Sequence, residues 1–150
     1  LSTGITFSVN IQGLKNWLSS IEVRSPQTLQ EFLRGAGDIA YEELEKTTPK
    51  RSSYLWYSTI TEMSEKSVLV KPTAFYAAFV ESGTAPHIIR PKSPDGVLRF
   101  EIGGEVIFAK YVNHPGTRPT FFVKTAREAT AKRVALLALE VYKKLYGAKS

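Results

Sequence analysis

The sequence predicts an α+β domain in which a mainly antiparallel sheet packs against a long helix in the N-terminal half and a long C-terminal helix. Three observations lead there. Ile5, Phe7, Val9 and Ile11 alternate strictly with Thr6, Ser8 and Asn10, the period of a half-buried strand. Apolar residues recur at helical spacing from Leu29 to Leu44 and again from Phe122 to Leu145. Between these two helices, strand-like runs are separated by hairpin-length turns rather than by the long crossovers of a parallel sheet.

After the first strand ends at Gly13, Leu14, Trp17, Leu18 and Ile21 take helical spacing and suggest a short amphipathic turn or two. Ser25-Pro26 is a helix start, because the serine oxygen accepts from orphan N–H groups and proline tolerates the first helical position. Leu29, Phe32, Leu33, Ala36, Ile39, Ala40 and Leu44 form the stripe of that helix, and Pro49 marks its end. Gly35 and Gly37 weaken its middle by about 1 kcal/mol each relative to alanine. Tyr54–Thr61, rich in aromatic and β-branched residues, is expected to form a hairpin with Ser67–Val70. A short aromatic helix carrying Phe75, Tyr76, Phe79 and Val80 should stop at Gly83, with a strand from His87 to Arg90 and a loop from Pro91 to Gly96.

Val97–Ile102 and Glu105–Val112 flank Gly103-Gly104, which fits a two-residue hairpin turn. That turn would place Leu98, Phe100, Ile102, Ile107, Ala109 and Tyr111 on one face, expected to meet the helices. Arg99, Glu101, Phe108 and Lys110 would look outward. In the last helix Phe122, Ala126, Ala129, Val134, Leu137, Val141 and Leu145 make the core stripe, widened by Leu136, Leu139, Tyr142 and Tyr146. So broad an apolar face suggests more than one surface to cover.

At 150 residues, 43% of them hydrophobic, the chain can bury one substantial core without staples, so a single domain over 1–150 is expected. The absence of cysteine excludes a disulfide framework, thiolate chemistry and a cysteine zinc site, and fits a reducing cytoplasm. No apolar run approaches the roughly 20 residues that span a bilayer, and Leu1–Gly13 lacks a basic region followed by an apolar stretch. The expectation is a soluble protein that is not secreted and has no membrane partner. The net charge of +6 is concentrated at the end: residues 120–150 carry seven basic and two acidic side chains. A concentrated basic face can meet acidic protein surface or nucleic-acid backbone.

Two segments organise the rest. Phe75–His87 and Asn113–Phe122 each contain Gly-Thr-x-Pro, in which glycine permits positive φ and proline pushes the residue before it into an extended conformation. Both are junctions between elements. The order of an aromatic-Ala helix, Val80-Glu81-Ser82-Gly83-Thr84, a histidine-bearing strand, then His114-Pro115-Gly116-Thr117-Arg118-Pro119-Thr120-Phe121 before a final helix resembles the head-to-tail joining, or tail-completion, proteins of long-tailed phages. Ser82 departs from that pattern, standing where an aromatic residue is expected.

The resemblance implies a structural virion protein with no enzymatic activity and no cofactor, assembled in the host cytoplasm into a ring at the neck. It implies a sixfold ring, with twelvefold the rival, and partners in the head connector and the tail tube or terminator. Glu81, Gly83, Thr84, His87, Arg90, Phe108, His114 and Arg118 are the candidate interface residues. Lys124, Arg127, Lys132, Arg133, Lys143 and Lys144 are candidates for proximity to packaged DNA. The alternative is a DNA-binding accessory protein that uses the basic helix without sequence readout, since no recognition motif is present.

Other chemistry is poorly supported by the residues. His87 and His114 are the only histidines, and nothing spaces two ligands on one helix face; each imidazole more simply caps a turn through a ring N–H. No nucleophile elbow surrounds Ser82 or Ser93, and Gly103-Gly104 lacks the lysine and helix of a phosphate loop. Glu81 ends an apolar helix, where the helix dipole disfavours a carboxylate. Solvent, an intrachain cation, or Arg90 or Arg118 of a neighbouring subunit would offset it.

Overall fold

The computed structural model describes residues 25–50 and 53–147, together with Ser19. The expected strand at Ile5–Ile11 lies outside the described residues, as does the amphipathic turn at Leu14–Ile21 apart from Ser19. The described chain is α+β, as expected.

Helix α1 (Pro26–Thr47) starts where Ser25 Oγ accepts from the Thr28 N–H at 3.3 Å, with proline in the first turn. It ends where Thr48 turns extended before Pro49, the Thr48 N–H and hydroxyl both donating to the Leu44 carbonyl. Its buried face follows the expected stripe, with Ile39 partly buried beside it. Helix α4 (Phe122–Tyr146) runs antiparallel along that face. Leu29 and Leu33 pack near Val141 and Leu145, Phe32 and Ala36 against Val134 and Ala138, and Ala40 and Leu44 against Phe122 and Ala126. Gly35 and Gly37 are sites of close packing as well as weak helix formers. A Cβ on Gly37 would lie 2.7 Å from Val68 Cγ2, and one on Gly35 3.1 Å from Leu137 Cδ2.

The α4 core stripe is as expected, with Phe122, Ala126 and Val134 buried and Leu137, Val141 and Leu145 packed at its edges, but the widening residues do not join it. Thr130 and Ala138 are buried, whereas Leu136 and Leu139 face outward.

Tyr54–Tyr57, expected as strand, is instead helix α2 (Ser53–Tyr57). One residue decides it: Leu55 is buried in the core while Tyr54 and Tyr57 stay exposed. The turn is locked by Ser58, whose N–H donates to Tyr54 O and whose hydroxyl donates to Leu55 O. The Ser58 carbonyl and hydroxyl then accept from Thr73 and Ala74, holding the far strand. The hairpin therefore begins later, with β1 (Thr59–Met63) against β2 (Val68–Pro72).

Helix α3 (Ala77–Ser82) stops at Gly83 as expected. Beyond it β3 (His87–Ile89) pairs antiparallel with β6 (Val112–His114), and the hairpin of β4 (Leu98–Ile102) and β5 (Glu105–Ala109) is inserted between them. The two-glycine turn and its register are as expected, with Phe100 opposite Ile107 and Leu98 opposite Ala109. Two expectations are corrected. The second strand breaks after Ala109, leaving Tyr111 outside it and freeing Val112–His114 to pair with β3. The face of Leu98, Phe100 and Ile107 does not reach the helices: no residue of β4 or β5 is buried. Among the described residues the strands form three two-stranded ribbons, not one sheet.

Candidate functional site: a glycine-threonine clasp beside an apolar groove

The two Gly-Thr-x-Pro segments, 33 residues apart in sequence, pair with each other. Thr84 and Thr117 form an antiparallel bridge in which each N–H donates to the other's carbonyl at 3.0 Å. Their hydroxyls meet at 3.1 Å, and the Thr117 N–H is shared with Thr84 Oγ1. The glycines are reciprocal. Gly83, at φ +71° and ψ −175°, lies against the backbone of Thr117–Pro119; Gly116, at φ +84°, lies against that of Thr84–Pro86. Positive φ was expected at Gly83, but its ψ is extended rather than that of the left-handed helix. Either glycine would lose this approach on gaining a Cβ.

The pairing continues into β3 and β6, which sets His87 directly opposite His114 with ring centroids 5.0 Å apart. The histidines do different jobs. His87 Nδ1 sits 2.9 Å from the Ala85 carbonyl and so donates, whereas His114 Nδ1 accepts from the Gly116 N–H at 3.1 Å. His87 thus caps a turn through a ring N–H as expected, and His114 reverses the role.

Glu81 ties the clasp to α4. Its two carboxylate oxygens accept from the backbone N–H groups of Val123 (2.8 Å) and Lys124 (3.1 Å). The N-cap residue Phe121 is left-handed (φ 52°, ψ 31°) and supplies no side-chain cap, so Glu81 takes that place from another helix. A carboxylate that ends one helix unfavourably begins the next favourably, among N–H groups and at the positive end of the dipole. Neither a cation nor a second subunit is needed to offset it. Thr120 and Phe121 add N–H donors to the Val80 and Glu81 carbonyls, and Thr120 Oγ1 donates to Val80 O.

Clasp and α3 together wall an open groove of about 950 Å³. Tyr76, Phe79, Val80 and Leu55 provide apolar surface, and among the described residues Arg118 is the only one of the lining with a permanent charge, beside His87 and His114. Exposed aromatic residues extend this surface: Tyr54 lies against Tyr76, and Tyr76 against Phe75. Of the eight candidate interface residues, the structure gathers Glu81, Gly83, Thr84, His87, His114 and Arg118 around the clasp. Arg90 lies beyond the other end of the β3–β6 ribbon, over the Tyr111 ring at 5.8 Å, and Phe108 is on the hairpin, 63% exposed.

The basic candidates are unequal. Arg133 is spent on Glu42 and Glu43, at 2.8 and 2.6 Å, and Lys144 approaches Glu31 at 3.9 Å. Lys124 lies over the Phe121 ring, and Arg127, Lys132 and Lys143 are exposed. Glu43, nearly buried, also accepts from Lys46 at 2.8 Å. Hydrogen bonds first from Lys46 and then from Arg133 outweigh the penalty of burial and hold its carboxyl below the ordinary value. A carboxyl depressed in the folded state contributes stability that is present above its unfolded pKa and lost as pH falls through the folded one. Glu43→Gln is therefore expected to destabilise the protein at about pH 7 and to matter less at about pH 3, below the unperturbed glutamate value of about 4.3. Urea midpoints at the two pH values measure this, and a deficit independent of pH would contradict it.

No group of three or more His, Asp or Glu side chains that could hold a metal ion is found among the described residues, and none of their helices is long and apolar enough to cross a membrane. Neither family models, curated proteins nor solved structures match the chain. Sequence reasoning missed the Glu81 cap and the Thr84–Thr117 bridge. The signal for the bridge was present as the repeated Gly-Thr-x-Pro. The cap left none, because its donors are backbone amides 42 and 43 residues away.

Proposed function

We propose that the protein is a structural component of a long-tailed virus that joins or completes the head-tail connection as a ring at the neck. The observation that carries this reading is the β4–β5 hairpin, which has apolar side chains on both faces and no residue buried: Ile102, Val106 and Phe108 are all exposed. Surface of that kind on a protein that already has a core is a docking surface. Leu136, Leu139 and Tyr142 add a second uncovered patch on the outer side of α4. The resemblance of the two clasp segments to tail-completion proteins supplies the setting. In it the clasp holds loops and ribbon rigidly, and assembly proceeds by complementarity between subunits and with the head-connector and tail-tube or terminator layers.

Contact with packaged DNA is secondary in this reading. Arg133 is neutralised by Glu42 and Glu43, the remaining exposed cations of α4 carry no readout motif, and any affinity is non-specific and falls steeply with salt. The test is the position of a labelled subunit in the assembled particle. The neck is expected, and a position in the capsid shell or the distal tail overturns the proposal.

A further inference from the structure

We infer that the tip of the β4–β5 hairpin in one copy seats in the apolar groove of the next. The inference rests on the ring reading and supplies its contact. The hairpin tip is apolar and acidic: Ile102 and Val106 are exposed there, flanked by Glu101 and Glu105, while the basic residues Arg99 and Lys110 lie towards its base. The groove is the complement. Phe79 and Tyr76 offer apolar surface, Arg118 is the permanent charge among the described lining residues, the two histidines add ring nitrogens, and no described carboxylate lines it. An apolar knob flanked by two carboxylates thus faces an apolar slot that carries the Arg118 cation, the combination that selects a register and disfavours like-charged alternatives.

Topology makes the contact intermolecular. The groove lies at the His87–His114 end of the β3–β6 ribbon, whereas the hairpin leaves from the Ile89–Val112 end, and no residue of β4 or β5 lines the groove of its own chain. Knob and slot are different surfaces, so the contact is head-to-tail. Repeated, it closes into a ring when the rotation between copies divides a full turn.

The chain has no cysteine, which makes disulfide trapping clean. Ile102→Cys and Phe79→Cys, both at exposed positions, are placed on separate full-length chains, mixed in equal amounts and oxidised. Ala85→Cys, also exposed in the groove lining, is a second slot position should Phe79→Cys fold poorly. The mixed disulfide is expected at about tenfold or more the yield of Ile102→Cys paired with Asp38→Cys on the exposed side of α1, since only apposed sulfurs bridge. Arg118→Glu on the slot chain should reduce the yield. Replacing Glu101 and Glu105 by lysine on the knob chain should restore it.

Yield equal to the Asp38 control overturns the contact, and failure of the charge exchange to restore the yield overturns the proposed register. The ring reading is separable. A closed ring in the particle without this disulfide removes the contact and leaves the ring, whereas the disulfide with a single copy in the particle leaves the contact and removes the ring.

Discussion

Gly116→Ala is expected to destabilise the protein by about 3 kcal/mol or more, in the range reserved for special backbone sites. Two effects combine. At φ +84° an L side chain costs roughly 1–2 kcal/mol in backbone strain. The new Cβ would also strike the Thr84 carbonyl and lie 2.9 Å from Ala85 C and 3.0 Å from Pro86 N, forcing open the Thr84–Thr117 bridge. Gly83→Val, at φ +71° with a β-branched side chain against Thr117–Pro119, should cost at least as much. Gly103→Ala separates the two effects. Its φ is +61°, yet a Cβ there meets nothing within 4 Å, so only the strain of about 1–2 kcal/mol remains. Denaturant midpoints of the three variants decide the matter, and equal losses at Gly103 and Gly116 would mean that the clasp is not tightly closed.

Glu81→Ala is expected to cost about 1–2 kcal/mol, the range of a lost helix cap. Both N–H groups it serves lose their acceptor, and Val123 is itself buried, which hinders water from replacing the carboxylate. Glu81→Gln should fall between, because a carboxamide keeps one acceptor oxygen but loses the charge that favours the positive end of α4. Amide hydrogen exchange supplies a local readout: Val123 and Lys124 should exchange faster in Glu81→Ala while amides in the middle of α1 change less. Unchanged exchange at both positions would remove Glu81 from this role.

The legible parts of the fold were those governed by local periodicity and local turn chemistry. Helices α1 and α4 declared themselves because a 3.6-residue repeat over more than twenty residues has no other explanation. Gly103-Gly104 announced its turn and register because two residues with positive φ between strand-like runs leave little choice. Tyr54–Tyr57 misled for the opposite reason. The five-residue helix Ser53–Tyr57 is too short to show a period, aromatic propensity favours strand, and the burial of Leu55 by partners far along the chain decided the outcome. The hairpin face likewise shows a pattern without showing what it covers, since alternation describes a strand pair but not where the pair points. At the site, the two junctions stood out by their residues. Their mutual pairing and the capping by Glu81 are long-range facts, created when α3 and the start of α4 meet.

The most direct measurement is a reconstruction of the assembled particle in which this subunit is resolved. A closed ring on the tail axis is expected, sixfold or else twelvefold, with Phe108, 63% exposed in the single chain, covered by a neighbouring subunit or ring. A single asymmetric copy with Phe108 open to solvent would contradict it.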